Sequence, residues 1–165
     1  SSNLKVDISK FFDKTYTLEQ GYVEGGDILR INNHFIIGIS GRTNETGAKN
    51  LSNIIEKNGG TSEIAITPEN TLHFKSECSL LDEETILATD NLIKSDFFNK
   101  KYRIIKVPKG EETGANCLRI NEHLLIPKGY DRLLDLVSKD YKVIVLDVTE
   151  MEKVDAGLSC LSLRW

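Results

Sequence analysis

The sequence has few of the features that define several large protein classes. It has only three cysteines in 165 residues, without a CxxC pair, which indicates neither a disulfide framework nor a zinc site. No apolar run approaches the ~20 residues of a membrane-spanning helix, and no signal-peptide pattern opens the chain. Lys and Arg (21) are outnumbered by Asp and Glu (25), so no basic excess marks a nucleic-acid or anionic-membrane surface. We therefore expect a cytoplasmic protein with free thiols, no metal and no nucleic-acid or membrane partner.

The sequence does contain an internal repeat. Residues 29–34 (LRINNH) return as residues 118–123 (LRINEH), and residues 78–88 have the same shape: an apolar strand, a polar turn and a second strand. A helical pattern follows each hairpin, and a β-rich run follows each helix. The sequence therefore predicts three ββαβ repeats at about 22–67, 72–108 and 112–148.

A fourth copy begins near the C-terminus. Residues 157–163 match residues 114–120, which predicts a terminal strand at 157–165. Stacked ββαβ units would close against further material, as propeller blades do. We therefore expect residues 1–165 to be a single but partial domain, which relies on a second copy of itself or on a complementary N-terminal chain.

The segments that lead into the first strand of each repeat contain side chains that could take part in catalysis. In a blade architecture the first strands line the middle, so equivalent positions of different repeats converge. Read side by side, these entries (residues 24–27, 73–78, 112–117 and 155–160) contain several carboxylates, the imidazole of His73 and the thiols of Cys78, Cys117 and Cys160. An orienting carboxylate, a base and a nucleophile are the groups that covalent cysteine catalysis needs.

Each of these residues also has a structural interpretation. Cys78, Cys117 and Cys160 share one repeat position, and a free cysteine commonly packs as a small buried hydrophobe. His73 breaks the repeat, but its spacing alone fits a structural histidine equally well. Arg42 follows a strand end, as a solvated loop arginine does. The glycines at 25–26 suit a tight turn or close backbone packing.

At these residues the sequence resembles the penteins, the guanidino-group-modifying superfamily, and within it the dimethylarginine dimethylaminohydrolases. The match runs in order from about residue 20 to near the C-terminus, and its motifs are specific only in combination. They are EGGD (24–27), SGRTN (40–44), LHFKS with CS (72–79), ANC (115–117) and EKVDAGLSC (152–160). The resemblance implies a pentein-type α/β propeller with five ββαβ blades, of which three and a terminal strand are expected here. Roughly two blades, with their acidic guanidinium-binding residues, would then be absent.

The resemblance also implies roles for individual residues. Cys160 would be the nucleophile, His73 the general acid and base, and Glu24 the carboxylate that orients His73. The remaining roles fall on Arg42, which would bind the substrate α-carboxylate, Val154, whose backbone would contact the amino-acid end, Asp155 beside the site, and Asp27 behind it.

The implied reaction is hydrolysis of Nω-methylated arginine to citrulline and dimethylamine. A guanidinium is a resonance-stabilised cation, so attack at its carbon needs a strong nucleophile at neutral pH, such as a thiolate beside a cationic imidazole. The intermediate would be a thiouronium attached to Cys160. The small guanidino substrate would be the ligand, and no cofactor is required.

Several alternatives stay open. Arginine deiminases have a His-x-Asp motif, whereas His73 is followed by Phe74 and Lys75, which weakens that interpretation. An arginine deiminase or an amidinotransferase-like enzyme acting on another guanidine is nevertheless the second hypothesis. A non-catalytic pentein binding module or inactive fragment is a third, although such a module has no need of a Glu, His and Cys set. A zinc site formed by His73 and the three cysteines is a fourth.

Overall fold

The computed structural model describes residues 10–95, 97–98 and 101–162. The chain forms three consecutive units, each with a three-stranded sheet and one helix between its second and third strands. In every sheet the first two strands are antiparallel and the last two are parallel, with the second strand central. The three predicted ββαβ units are thus confirmed.

The elements of the units are as follows. The first unit contains β1 (Ile28–Ile31), β2 (His34–Ile39), α1 (Glu45–Lys57) and β3 (Thr61–Ile66). The second contains β4 (Cys78–Leu80), β5 (Thr85–Ala88), α2 (Asp90–Lys94) and β6 (Arg103–Lys106). The third contains β7 (Leu118–Ile120), β8 (His123–Pro127), α3 (Asp131–Val137) and β9 (Lys142–Leu146), and α4 (Thr149–Glu152) follows it. No helix in these described ranges has the length and apolar character that crossing a membrane requires.

The hairpins of the first and third units turn in the same way. Asn32 and Asn121 have φ of +55° and +53°, a left-handed conformation that asparagine tolerates better than most residues. In both turns the asparagine carbonyl oxygen accepts a hydrogen bond from an arginine Nε, at 2.9 Å from Arg30 and 3.0 Å from Arg119. The recurring sequence therefore produces a recurring turn.

A side chain caps the N-terminus of each of the three crossover helices. The Asn44 amide caps α1 and the Thr89 hydroxyl caps α2, in each case by accepting a backbone N–H from the first turn. Tyr130 precedes α3 and cannot cap it in this way. Instead the buried carboxylate of Glu111 accepts the Leu133 N–H at 2.8 Å.

The units stack because successive residues of a strand point to opposite faces of the sheet. Ile37 packs on α1 of its own unit, whereas Ile36 belongs to a core cluster with Ile86 and Leu92 of the second unit. A second cluster joins the second unit to the third through Leu81, Leu87, Val107, Leu124, Ile126, Leu133 and Val137. Each sheet therefore carries its own helix on one face, and in the first two units the next unit covers the other face.

The stacking brings the strand entries together. β1 contacts β4, and β4 contacts β7. A short 3-10 helix precedes each of these strands, at Gly25–Asp27, Phe74–Ser76 and Glu112–Ala115. The first of these 3-10 helices contacts the second, and the second contacts the third. Glu24 and His73 lie at the start of the first two.

The predicted terminal strand at 157–165 is wrong over its described part. Leu158–Leu161 form a fourth 3-10 helix, Ser162 is extended, and residues 163–165 lie outside the described residues. The sequence match aligned residue 160 with residue 117, which follows the third 3-10 helix, whereas residue 160 lies inside the fourth. The chain therefore begins its fourth copy with the turn that precedes a strand in the other units.

Candidate active site

Glu24 and His73 form a hydrogen-bonded pair across the first two units. Glu24 Oε2 lies 2.7 Å from His73 Nε2. Both residues directly precede a 3-10 helix, and these two helices are in contact, which explains why side chains 49 positions apart meet. The hydrogen bond from His73, together with the positive charge of Arg42, lowers the pKa of Glu24 against the opposing effect of burial. The carboxylate is thus held ionised, able to fix the orientation of the imidazole.

Arg42 lies on the outer side of this pair. Its Nη1 is 3.3 Å from Glu24 Oε1, and its side chain is 56% exposed. Its backbone N–H donates to Ser40 Oγ at 2.9 Å, which fixes the turn after β2. An exposed guanidinium at this edge is suited to bind a carboxylate from solution.

Asp27 is fully buried behind the pair and accepts three hydrogen bonds. Its Oδ1 accepts the Phe74 N–H at 2.8 Å, and its Oδ2 accepts the hydroxyls of Ser40 at 2.8 Å and Thr43 at 2.6 Å. Thr43 Oγ1 also accepts the Glu24 N–H at 3.1 Å. A buried carboxylate needs such partners, and here they tie together both 3-10 helices and the segment after β2.

Sequence reasoning missed the part played by Ser40 and Thr43. Both stand in the SGRTN motif, of which only Arg42 was assigned a role. The available signal was the pair of hydroxyl residues flanking that arginine. It did not reveal that their partner would be a carboxylate at position 27.

Gly26 lets His73 approach the first 3-10 helix closely. A Cβ atom at position 26 would lie 2.6 Å from His73 Cγ and 2.7 Å from its Cδ2, closer than real contacts allow. At Gly25 nothing lies within 4 Å of such an atom. Of the two neighbouring glycines, only the second is required by packing against the candidate catalytic histidine.

The three cysteines differ in exposure. Cys78 and Cys117 are buried, and burial raises the pKa of Cys117 to about 12 and that of Cys78 well above its usual range. Cys160 is exposed. The expected equivalence of the three positions is therefore wrong, because Cys78 and Cys117 follow their 3-10 helices and Cys160 lies within its own. Among the cysteines Cys160 is the thiol that a solute can reach.

Val154 and Asp155 lie in the segment between α4 and the fourth 3-10 helix. Val154 is 70% exposed, and Asp155 has a left-handed φ of +56°. The hydrogen bonds of the described residues do not connect this segment, or Cys160, to the Glu24–His73 pair. The structure thus brings Glu24, His73, Arg42 and Asp27 together, and the roles of Cys160, Val154 and Asp155 stay predictions.

The donor set for a zinc site is not assembled. Within residues 10–95, 97–98 and 101–162, no three His, Cys, Asp or Glu side chains are grouped so that they could hold a metal ion. The zinc alternative therefore has no geometric support in the described part of the chain.

Comparison with known proteins identifies the family. A family model described as arginine deiminase matches residues 5–126. The chain belongs to the arginine deiminase family. Among named members it is similar to the N(G),N(G)-dimethylarginine dimethylaminohydrolases of Pseudomonas aeruginosa (37% identity over 146 residues) and Streptomyces coelicolor (30% over 151 residues). These alignments cover 88% of this chain but only 57% and 55% of the relatives' lengths. The resemblance to the dimethylarginine dimethylaminohydrolases is confirmed.

Solved structures of related proteins have the same fold. This family member superposes on a cysteine-to-serine mutant of the Pseudomonas aeruginosa enzyme complexed with citrulline, with a TM-score of 0.92 and 34% identity. That alignment covers 99% of this chain and 65% of the other. An inosamine-phosphate amidinotransferase from Streptomyces griseus matches at 0.70 with 19% identity, over 89% of this chain and 47% of the other, and shows the fold alone. The predicted pentein-type α/β fold is confirmed.

Proposed function

We propose that this chain carries the catalytic Cys-His-Glu set of an enzyme that hydrolyses Nω-methylated arginine to citrulline and dimethylamine. The observation that carries the proposal is the 2.7 Å contact between Glu24 Oε2 and His73 Nε2. The exposed thiol of Cys160 supports it, as do relatives named for hydrolysis of dimethylarginine.

The first half of the reaction forms a covalent intermediate. The Cys160 thiolate attacks the guanidinium carbon and makes an S–C bond. Protonated His73 then donates its proton to the dimethylamino nitrogen, and the C–N bond breaks as neutral dimethylamine leaves. Glu24 keeps the imidazole oriented toward the departing nitrogen. A thiouronium cation on Cys160 remains.

The second half hydrolyses this intermediate. Neutral His73 takes a proton from water, whose oxygen attacks the thiouronium carbon. The S–C bond breaks, Cys160 leaves as thiolate, and citrulline forms. The positive charge that the substrate brought leaves as a proton, which dimethylamine takes up in solution. No step requires a metal or a cofactor.

The substrate-binding roles are those that the resemblance to the dimethylarginine dimethylaminohydrolases implies, and for Arg42 the exposed position beside Glu24 supports the role. Arg42 would pair with the substrate α-carboxylate, for which its guanidinium is exposed beside Glu24. The backbone of Val154 would contact the amino-acid end, with Asp155 next to it. Asp27 would hold the first two 3-10 helices in place and touch no substrate.

The test is citrulline production from asymmetric dimethylarginine by the purified chain, with arginine assayed in parallel. We expect turnover of the methylated substrate in excess of arginine. Faster turnover of arginine would overturn the substrate and keep the chemistry. No turnover of either compound would overturn the proposal that this chain is itself a catalyst.

Arginine deiminase activity is the second candidate, and the family model favours it. Against it stands Lys75, which occupies the position of the acidic residue expected in a deiminase. The parallel assay separates the two, since a deiminase releases ammonia from arginine. A non-catalytic module would release neither product.

Replacing Arg42 by alanine is expected to raise the KM for dimethylarginine about tenfold or more, because one charge-assisted carboxylate contact is lost. The matched measurement uses N,N-dimethylguanidine, which has no carboxylate. For this compound wild-type and variant should have the same KM. An equal KM increase for both compounds would show that Arg42 supports Glu24 and does not recognise the carboxylate.

A partner is also part of the proposal. Leu124 is buried against the second unit, so its neighbour Leu125 and the paired Ile144 face the opposite way. On this far face of the third sheet Ile120 is 44% exposed and Ile144 is 42% exposed. Because the matching faces of the first two sheets are each covered by the next unit, we propose that a ββαβ unit of a second copy covers this one.

This association predicts concentration-dependent self-assembly of the chain in sedimentation velocity. Ile144→Lys places a charge in the far face and is expected to shift the equilibrium to the monomer by about tenfold in Kd or more. Leu72→Lys, at an equally exposed position (41%) in the loop before His73, is the control. A wild-type chain that stays monomeric at high concentration would contradict the proposal.

The cytoplasmic location stays part of the proposal as well. It is supported by the free thiols of all three cysteines, which suit a reducing compartment.

A further inference from the structure

Two of the 3-10 helices, the second, which follows His73, and the fourth, which contains Cys160, are held by a side chain of the preceding unit. Phe74, the residue after His73, donates its backbone N–H to Asp27 Oδ1 at 2.8 Å. Ser159, the residue before Cys160, donates its backbone N–H to Asn116 Oδ1 at 2.9 Å. The two hydrogen bonds are alike in donor, acceptor and length.

Asp27 and Asn116 also occupy the same position of the repeat. Since residues 29–34 match residues 118–123, Asp27 corresponds to Asn116. The corresponding residue of the second unit is Glu77, whose carboxylate accepts from the hydroxyls of Thr71 and Thr89. Asp27 and Asn116 therefore each bind the backbone of the 3-10 helix of the next unit, and each of those helices contains or directly follows a candidate catalytic residue.

Several contacts fix the fourth 3-10 helix next to Asn116. A Cβ atom at Gly157 would lie 2.4 Å from Asn116 Nδ2 and 2.5 Å from its Cγ, so the backbone of this glycine packs directly against the Asn116 amide. Leu158 is only 3% exposed and anchors the start of the helix. The Cys160 N–H in turn donates to the Gly157 carbonyl oxygen at 3.0 Å. Movement of the Asn116 amide would therefore displace the segment that carries the thiol.

We propose that Asn116 is a positioning residue for Cys160. Its Oδ1 holds the nucleophile-bearing helix as Asp27 Oδ1 holds the segment of His73, so two equivalent inter-unit hydrogen bonds set where thiol and imidazole stand. The claim that this hydrogen bond affects catalysis rests on the proposed function. The claim that the hydrogen bond holds the helix does not, and the two claims are tested separately.

The first test measures the hydrogen bond without any substrate. In hydrogen exchange followed by NMR on the whole chain, the Ser159 amide should be protected. In Asn116→Ala it should exchange at least about tenfold faster, as expected when one hydrogen bond is lost. Asn116→Asp keeps an oxygen in place and should restore protection. A Ser159 amide that exchanges equally fast in wild type and Asn116→Ala would overturn the inference.

The second test measures positioning. Asn116→Ala should lower kcat for dimethylarginine about 10- to 100-fold, the cost of a small misplacement of a reacting group, with KM changed less than about twofold. Asn116→Asp should recover most of kcat. Glu111→Ala is the control, because it removes a buried acceptor from the same unit but releases α3, and its kcat should stay within about twofold of wild type.

The outcomes separate the two proposals. Faster exchange in Asn116→Ala with an unchanged kcat would overturn the positioning role. A kcat loss in Glu111→Ala as large as in Asn116→Ala would show that the loss comes from general destabilisation of the third unit. That result would also overturn the positioning role. If the wild-type chain turns over no guanidine, the proposed function fails, and the rate of Cys160 alkylation by iodoacetamide replaces kcat. A rate unchanged in Asn116→Ala would then overturn positioning.

Discussion

Cys160→Ser is expected to abolish citrulline production from dimethylarginine, with a loss of at least about 10⁴-fold in kcat, as found when a nucleophile is removed from a catalytic set. A serine hydroxyl at this position would have to lose its proton to attack a cation, and His73 is needed in its protonated form to expel the amine. The loss should therefore appear in kcat. Binding of the substrate, measured by calorimetry with the inactive variant, should persist.

The matched control is Cys117→Ser. This thiol is buried and donates to the Gly114 carbonyl oxygen at 3.1 Å, a bond that a serine hydroxyl can also make. With its pKa raised to about 12, Cys117 is uncharged at neutral pH and unable to act as nucleophile. Activity should thus survive in Cys117→Ser. Equal losses in both variants would mean that folding, not nucleophilic attack, is being measured.

The repeat and the order of its elements could be predicted from the sequence because their signals are local. Alternating strands, polar turns and helical spacing each lie within a few residues, and the LRINNH and LRINEH segments place them in register. The fourth copy misled the same reasoning. A 3-10 helix has no periodicity of its own, so the match of residues 157–163 to 114–120 predicted a strand where a turn forms.

For the site, the motifs predicted residues and the fold supplied their distances. Glu24 and His73 were proposed as partners from the family pattern, and the structure places their side chains 2.7 Å apart. The supporting residues could not be predicted. Ser40, Thr43 and Asn116 make hydrogen bonds to residues 13, 16 and 43 positions away, and nothing in their sequence neighbourhoods indicates those partners.

In the stacked arrangement the proposed catalytic pair depends on the boundary between two units. Glu24 and His73 come from different units, and the contact between their 3-10 helices depends on the core cluster that joins the first sheet to the second. A change that loosens this packing would alter the distance between carboxylate and imidazole without touching either. At this boundary Gly26 packs directly against the His73 ring.

Gly26→Ala is accordingly expected to lower kcat about 100-fold or more, although it adds a single methyl group. That methyl would lie 2.6 Å from His73 Cγ and 2.7 Å from Cδ2, so the imidazole must move away from the first 3-10 helix. Since Glu24 starts that helix, the bond from His73 Nε2 to Glu24 Oε2 lengthens or breaks. The imidazole then loses the orientation that proton transfer to the leaving amine requires.

Gly25→Ala is the control for this prediction, because it adds the same methyl one residue earlier with nothing within 4 Å. Both variants lose the same backbone freedom, so a difference between them reports the contact with His73 alone. Gly25→Ala should keep kcat within about twofold of wild type, whereas Gly26→Ala should lose it while remaining folded by circular dichroism. Wild-type turnover in Gly26→Ala would show that His73 can act from a displaced position, and the Glu24–His73 geometry would then not be what limits the reaction.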